Sequence, residues 1–242
     1  MLVALAASPV SGGGRVNSGD IIPGHFIVVL ADGASPRDVA ADHGVIRTQT
    51  YRYALNGFAG AIGKGQLKSV SSDPRVLFVE PDRVVTLADK PPHSHDTEDS
   101  STTSTSETTP TGISSINSTA SGTVDVDVAV IDTGIDTDHP DLNVVSHVRC
   151  TGTGANRDQN GHGTHVAGTI GAIDNEEGVI GVVPGARLWG VKLLNAAGSG
   201  TLSCVAAGID YVTANADQIE VANMSLGCAC TSEAMDLAIS TS

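Results

Sequence analysis

V-D-V-A-V-I-D-T-G-I-D (126–136) decides how this chain folds. Its first six residues form a near-continuous β-branched run, which predicts a buried strand over 126–131. Asp132 follows that strand at once. In open α/β sheets, sites lie outside the carboxyl ends of strands, so an acid there is placed to orient a histidine. D-T-G is also good turn chemistry, and capping a turn is the plainer role for Asp132. Further along, H-V-A-G-T-I-G-A-I (165–173) reads as a helix of small residues suited to a crowded interior. L-W-G-V-K-L-L (188–194) reads as a second strand and V-A-N-M-S-L (221–226) as a third. Between them, Leu202, Val205, Ala206, Ile209 and Val212 stand at helical spacing. Strands alternating with helices predict a parallel sheet with helices on both faces.

Residues 20–88 follow another pattern. H-F-I-V-V-L (25–30), V-I-R-T-Q-T-Y (45–51), G-F-A-G-A-I (57–62) and V-L-F-V-E (76–80) read as strands. S-P-R-D-V-A-A-D-H-G (35–44) has a serine cap, a first-turn proline and a glycine stop, and K-G-Q-L-K-S-V-S-S-D (64–73) supplies a second helix. The order β-α-β-β-α-β is that of a small ferredoxin-like α+β domain. Residues 89–106, rich in Ser, Thr and acid, offer nothing to bury and read as an exposed linker. The same exposure suits a processing site. The apolar opening, residues 1–19, reads either as a signal-peptide remnant without its basic region or as a disordered terminus.

The 242 residues suffice for one large domain or two smaller ones with real cores. Lys and Arg total 13 against 27 Asp and Glu, a formal charge of −14, which argues against a nucleic-acid partner. No apolar run is long enough to span a bilayer, so no membrane partner is expected. Cys150, Cys204, Cys228 and Cys230 permit three complete pairings. A bridge between Cys228 and Cys230 would be strained, which favours the other pairings. The four cysteines form no two C-x-x-C pairs, so zinc is a poor fit.

His162 stands in N-G-H-G-T-H-V-A-G (160–168), at the entrance of the small-residue helix. A general base needs an imidazole held in one tautomer by a carboxylate. The helix N-terminus disfavours imidazolium and a carboxylate favours it, so the two oppose each other. A metal pair with His165 is the alternative, but the spacing and the missing glutamate do not match H-E-x-x-H. His165 reads better as a hydrogen-bonded core histidine.

V-A-V-I-D-T-G-I-D with H-P-D-L behind it, N-G-H-G-T-H-V-A-G-T, and V-A-N-M-S-L-G resemble the subtilisin family in order and spacing. The resemblance covers roughly 107–240, and 107–242 reads as the N-terminal part of a subtilisin-like catalytic domain whose fold is incomplete. Residues 20–88 resemble the family's inhibitory propeptide. The resemblance implies that Asp132 and His162 are triad members. It implies that Gly198, Ser199 and Gly200 line one side of the substrate cleft, that Ser225, Leu226 and Gly227 line the other, and that Leu194 contributes to apolar subsites. Substrate would bind extended between them. It further implies a structural calcium ion held by backbone oxygens of Ile173, Glu177 and Val179 and side chains of Asn175, Asp141 and Glu107; an acidic surface loop is the plainer reading.

Two departures stand out. G-C-A-C (227–230) places cysteines where the family has glycine and small residues. No G-T-S-M-A-type motif for the nucleophile occurs in these residues, and the oxyanion-hole asparagine is also missing, so this stretch alone should not hydrolyse peptides. The expectation is a secreted, monomeric serine endopeptidase precursor, a zymogen whose propeptide acts on it in cis as chaperone and inhibitor, with polypeptides as substrates and the serine beyond residue 242. The alternative is a non-catalytic protease inhibitor or binding protein built around residues 20–88.

Overall fold

F-I-V-V-L, residues 26–30, has no polar residue because the strand it forms is covered on both sides. The computed structural model describes residues 17–87, 107–116, 123–150 and 157–242. The small domain runs β1 (Ile21–Leu30), α1 (Pro36–Asp42), β2 (Ile46–Tyr51), β3 (Gly57–Ala61), α2 (Lys64–Ser71) and β4 (Val76–Leu87). Its sheet has the order β4-β1-β3-β2, antiparallel throughout. Ser35 caps α1 by accepting from the Asp38 amide, and Pro36 fills a first-turn position that needs no donor. Gly44, at φ 62°, turns the chain into β2. Val28, Leu30 and Phe58 face the domain's own helices with Val39 and Val70. Ile27, Val29, Tyr51 and Ala59 face the other way, into the large domain.

The large domain contributes α3 (Thr111–Ser115), β5 (Asp127–Asp132), β6 (Val144–Arg149), α4 (His162–Gly171), β7 (Arg187–Lys192), β8 (Ser199–Thr201), α5 (Leu202–Ala214), β9 (Val221–Met224), β10 (Leu226–Gly227) and α6 (Glu233–Thr241). Its parallel sheet has the order β6-β7-β5-β9. Side chains alternate along each strand. Val128, Val130 and Leu188 therefore meet α4 on one face, while Ile131, Val191 and Leu193 meet α5 on the other. The parallel sheet with helices on both faces is thus present. No helix among the described residues is long and apolar enough to cross a membrane.

Several expectations are corrected or fall elsewhere. Asp132 is the last residue of β5 rather than the first beyond it. β6 was not anticipated, because its half-buried edge position leaves a broken apolar pattern. β4 runs extended past Glu80 to Leu87, where it pairs with strands of the large domain. The disulfides are Cys150–Cys204 and Cys228–Cys230. The second pairing, disfavoured above as strained, joins cysteines only two positions apart. The chain bends there and brings their Cα atoms to 5.2 Å, within the range a disulfide spans. The linker over 89–106 and the apolar opening up to residue 16 lie outside the described residues.

Candidate active site

Asp132 is fully buried at the carboxyl end of β5, and His162 is the first residue of α4. Their meeting depends on Gly163. A β-carbon there would lie 2.1 Å from the Gly134 carbonyl oxygen, so only glycine lets α4 approach the D-T-G turn this closely. His162 Nδ1 lies 2.9 Å from Asp132 Oδ1 and 3.0 Å from Oδ2. An ionised carboxylate only accepts, so Nδ1 carries the proton and Nε2 is left with its lone pair. The carboxylate is inaccessible while the His162 side chain is 29% exposed. This is the geometry of an oriented general base.

Asp158, Thr133 and Lys192 brace this corner of the fold, and the sequence reading gave none of them a role in the site. Asp158 Oδ1 accepts from the amides of Asn160 and Gly161 and from Thr133 Oγ1, while Oδ2 accepts from the Thr164 amide and hydroxyl. Thr133 Oγ1 in turn accepts from the Gly163 amide at 2.9 Å. Asp158 therefore caps α4 and ties it to the D-T-G turn. The signal for it was an acid just ahead of a helix start, a capping pattern obscured by the intervening Q-N-G. Lys192, the residue paired with Asp132 across β5 and β7, is buried and donates to the carbonyls of Thr133 and Leu194. Burial pushes its ammonium pKa down, against the pull of the Asp158 and Asp132 charges.

Burial works to raise the Asp158 carboxyl, but hydrogen bonds from Asn160, Gly161 and Thr164 outweigh it and hold the group at about 2, below its ordinary 3.8. A depressed acid stabilises the fold above its unfolded pKa and loses that contribution as pH falls through its folded one. Asp158→Asn is therefore expected to lower the melting temperature by several degrees at pH 6. The gap to wild type should close between about pH 4 and pH 2, as read by thermal denaturation at each pH. A gap independent of pH would show that the charge is not what α4 uses.

His165 is not the core histidine expected of it. α4 turns Gly163, Ala167 and Gly171 toward the sheet, four residues apart, which leaves His165 exposed on the opposite side.

The segments expected to line a cleft do flank an extended strand, and that strand is β4. Val84, Val85 and Thr86 pair antiparallel with Thr201, Gly200 and Ser199, and the Leu87 amide donates to the Gly198 carbonyl at 3.0 Å. On the other side, Leu87 and Thr86 pair with Leu226 and Gly227. Ser225 makes no such pair; its hydroxyl accepts from Asn223. Val85 is 1% exposed, buried in the cluster that holds Leu194, Leu202 and Val205. Gly198, at φ 75°, is covered by Leu87, whose Cδ1 would lie 2.7 Å from a β-carbon there.

Acids seal the rest of the interface. Glu80 and Asp82 stand two residues apart on one face of β4. Glu80 accepts from the Ser232 hydroxyl and the amides of Glu233 and Ala234, capping α6. Asp82 accepts from the Ser203 amide and hydroxyl, capping α5. Burial pushes the Asp82 carboxyl up, with the Ser203 bonds pulling it back. Asp210 of α5 reciprocates by accepting from the amides of Arg52, Tyr53 and Ala54. Anions at helix N-termini are favoured by the peptide dipoles, so these contacts suit the two helix starts.

Some of the expected calcium ligands lie beside one another. Glu107 Oε1 accepts from the Asn175 amide N–H, Asn175 Nδ2 donates to Asp141 Oδ1 at 3.2 Å, and Thr108 bridges to Val179. Glu176 and Gly178 both have positive φ, curling the loop between Ile173 and Val179 around Asp141. Among the described residues no three His, Cys, Asp or Glu side chains cluster as a metal site. The candidate set leans instead on amide and backbone oxygens.

Known proteins resemble this chain along much of its length. Residues 123–241 match the subtilase family and residues 25–88 match the peptidase inhibitor I9 family. Subtilisin E of Bacillus subtilis is 37% identical over 202 residues, 80% of this chain and 48% of its own length. The alkaline protease of Alkalihalobacillus alcalophilus is 42% identical over 177 residues, 69% of this chain and 45% of that protein. Subtilisin DY of Bacillus licheniformis is 48% identical over 115 residues, 47% of this chain and 41% of that protein. The chain spans about half the length of the curated relatives it matches.

Proposed function

Because the chain belongs to the subtilase family through residues 123–241 and carries an inhibitor I9 domain ahead of it, we propose that it is the front portion of a secreted, monomeric serine endopeptidase precursor. Asp132 holds the Nδ1–H of His162, and His162 Nε2 takes the proton of a serine supplied from beyond residue 242. The serine oxygen attacks the peptide carbonyl, and the same proton passes to the leaving amine. Polypeptide substrates lie extended between 198–200 and 225–227, with apolar side chains toward Leu194. Residues 20–88 inhibit in cis until the linker over 89–106 is cut. The observation that carries this reading is the Asp132–His162 contact of 2.9 Å on a domain whose 198–200 and 226–227 segments already grip an extended strand.

The experiment is to read the gene beyond codon 242 and assay the full-length product on an unfolded polypeptide. A G-T-S-M-A-like motif and hydrolysis blocked by a serine-directed organophosphorus reagent are expected. A stop codon without that motif, or no reagent-sensitive hydrolysis, would overturn it in favour of a non-catalytic inhibitor or binding protein.

Calcium fits the loop at 173–179. Asp141 is buried, and the one hydrogen bond to its carboxylate among the described residues comes from the neutral Asn175 amide. A buried carboxylate without a cationic partner calls for one. Asp141, Asn175, Glu107 and the carbonyls of Ile173, Glu177 and Val179 would hold the ion, which would supply charge balance and stability. Chelation is expected to lower the melting temperature by roughly 5–10 °C, the size expected when a ligand at about 100 times its Kd is withdrawn from a domain of this length. Asp141→Ala should abolish most of that response. Superimposable melting curves with and without chelator would count against the ion.

A further inference from the structure

The turn Asn17–Asp20 precedes β1 and lies outside the matched inhibitor segment, which begins at residue 25. It closes on itself, with the Asp20 amide donating to the Asn17 carbonyl and the Asn17 amide to the Asp20 carboxylate. It then reaches across to the large domain. Ser18 Oγ donates to the Gly227 carbonyl at 3.2 Å and accepts from the Ala229 amide at 3.1 Å. Gly19, at φ 87°, lies so close that a β-carbon would sit 2.7 Å from the Ala229 carbonyl oxygen. The same turn grips the backbone of Val84, donating from Gly19 N to its carbonyl and accepting its amide at Asp20 O, each at 2.9 Å. Arg83 Nη1 donates to the Gly19 carbonyl.

We propose that the disulfide-closed loop Gly227–Cys230 is a docking site for this turn, giving the small domain a second clamp beside the cleft. The argument rests on the inhibitor reading given above. Two features of the loop make the site. The Cys228–Cys230 bridge holds the Gly227 carbonyl and the Ala229 amide on either side of a bend, one acceptor and one donor for a single hydroxyl. Cys228 Sγ then contacts the Val84 carbonyl at 3.6 Å, so loop, turn and inhibitor strand meet at one residue. The chemistry that fits is a small hydroxyl residue followed by glycine in a tight turn, which is what Ser18-Gly19 presents. The cysteines beside the cleft thus serve to shape this contact.

The test uses the 242-residue chain with a specific protease site placed within 89–106. After cutting, the dissociation rate of the released small domain from the remainder is followed on a biosensor. Ser18→Ala should raise that rate roughly fivefold, as expected for two surface hydrogen bonds of modest net worth. Gly19→Ala should raise it tenfold or more, through the clash and the positive φ. Asn17→Ala, whose side chain takes no part, should leave it unchanged. In a Cys228→Ser/Cys230→Ser background, Ser18→Ala should have little further effect, because the two act through one contact. Val85→Ala serves as the reference for the strand in the cleft. If Val85→Ala speeds release while Ser18→Ala and Gly19→Ala match Asn17→Ala, the clamp is overturned and the inhibitor reading stands. Full additivity between the serine and cysteine changes would also overturn it. If the halves separate at once in wild type, both readings fall. Should the cysteine variant fail to fold, the Ser18 and Gly19 variants still decide.

Discussion

His162→Ala in the full-length protein is expected to lower kcat/KM for peptide hydrolysis on the order of 10⁴-fold or more while the protein still folds. What the structure supplies is the reason the loss should be catalytic. His162 is the first residue of α4, and its partly exposed imidazole is hydrogen-bonded to Asp132. Removing the ring takes nothing from the cores on either face of the sheet. Asp132 keeps its bond from the Thr133 amide, although its buried charge loses the imidazole and some stability will go with it. Asp132→Asn should reach a comparable loss by another route, since a donor at that position favours the wrong tautomer of His162. Kinetics on a peptide substrate, with circular dichroism as the folding control, decide the matter. Wild-type turnover from a folded His162→Ala protein would remove His162 from the chemistry.

The second large effect is expected at Val85. Val85→Asp should weaken inhibition of the mature enzyme by the isolated small domain by about 10³-fold, because an unpaired buried charge costs several kcal/mol. Val85 is almost wholly buried against Leu194, Leu202 and Val205, and its backbone is paired with Gly200. The cluster around Val85 is apolar, and the chain as a whole carries a formal charge of −14. The neighbouring ladder should survive, since the main-chain bonds of Thr86 and Leu87 do not depend on the side chain at 85. The measurement is a titration of residues 20–88, wild type and variant, against mature enzyme with peptide cleavage as readout. Equal inhibition by both would mean that β4 is not what occupies the cleft in solution.

Asp132 and His162 stood in motifs whose residue types and positions relative to a strand end and a helix start already suggested their pairing. Val85 lies in a β-branched stretch, Val84-Val85-Thr86, that favours an extended chain, but its burial required the large domain to be in place. Asp158 lay in plain view four residues before His162, yet its five hydrogen bonds become apparent only when the D-T-G turn folds over the start of α4. His165 was misjudged for a related reason. Its neighbours are apolar and small, but helical geometry turns Gly163, Ala167 and Gly171 to the sheet and His165 away from it.

By itself the sequence determined the local elements: the β-α-β-β-α-β order of the small domain, the buried β5 run and the small-residue helix. Such features are written in windows of a few residues, through side-chain periodicity, caps and turn chemistry, and need no distant partner to be read. The tertiary structure alone decided the pairings. Glu80 and Asp82 are unremarkable acids until the starts of α6 and α5 arrive some 120 to 150 positions later in the chain. Cys228 and Cys230 pair with each other because a bend brings their Cα atoms to 5.2 Å, while Cys150 finds Cys204 across 54 residues. β4 outgrows its own domain because β8 and β10 leave unpaired backbone on either side of it. Each of these depends on which two surfaces meet, and a backbone donor or a buried acid shows no preference for its partner until packing has placed one within reach.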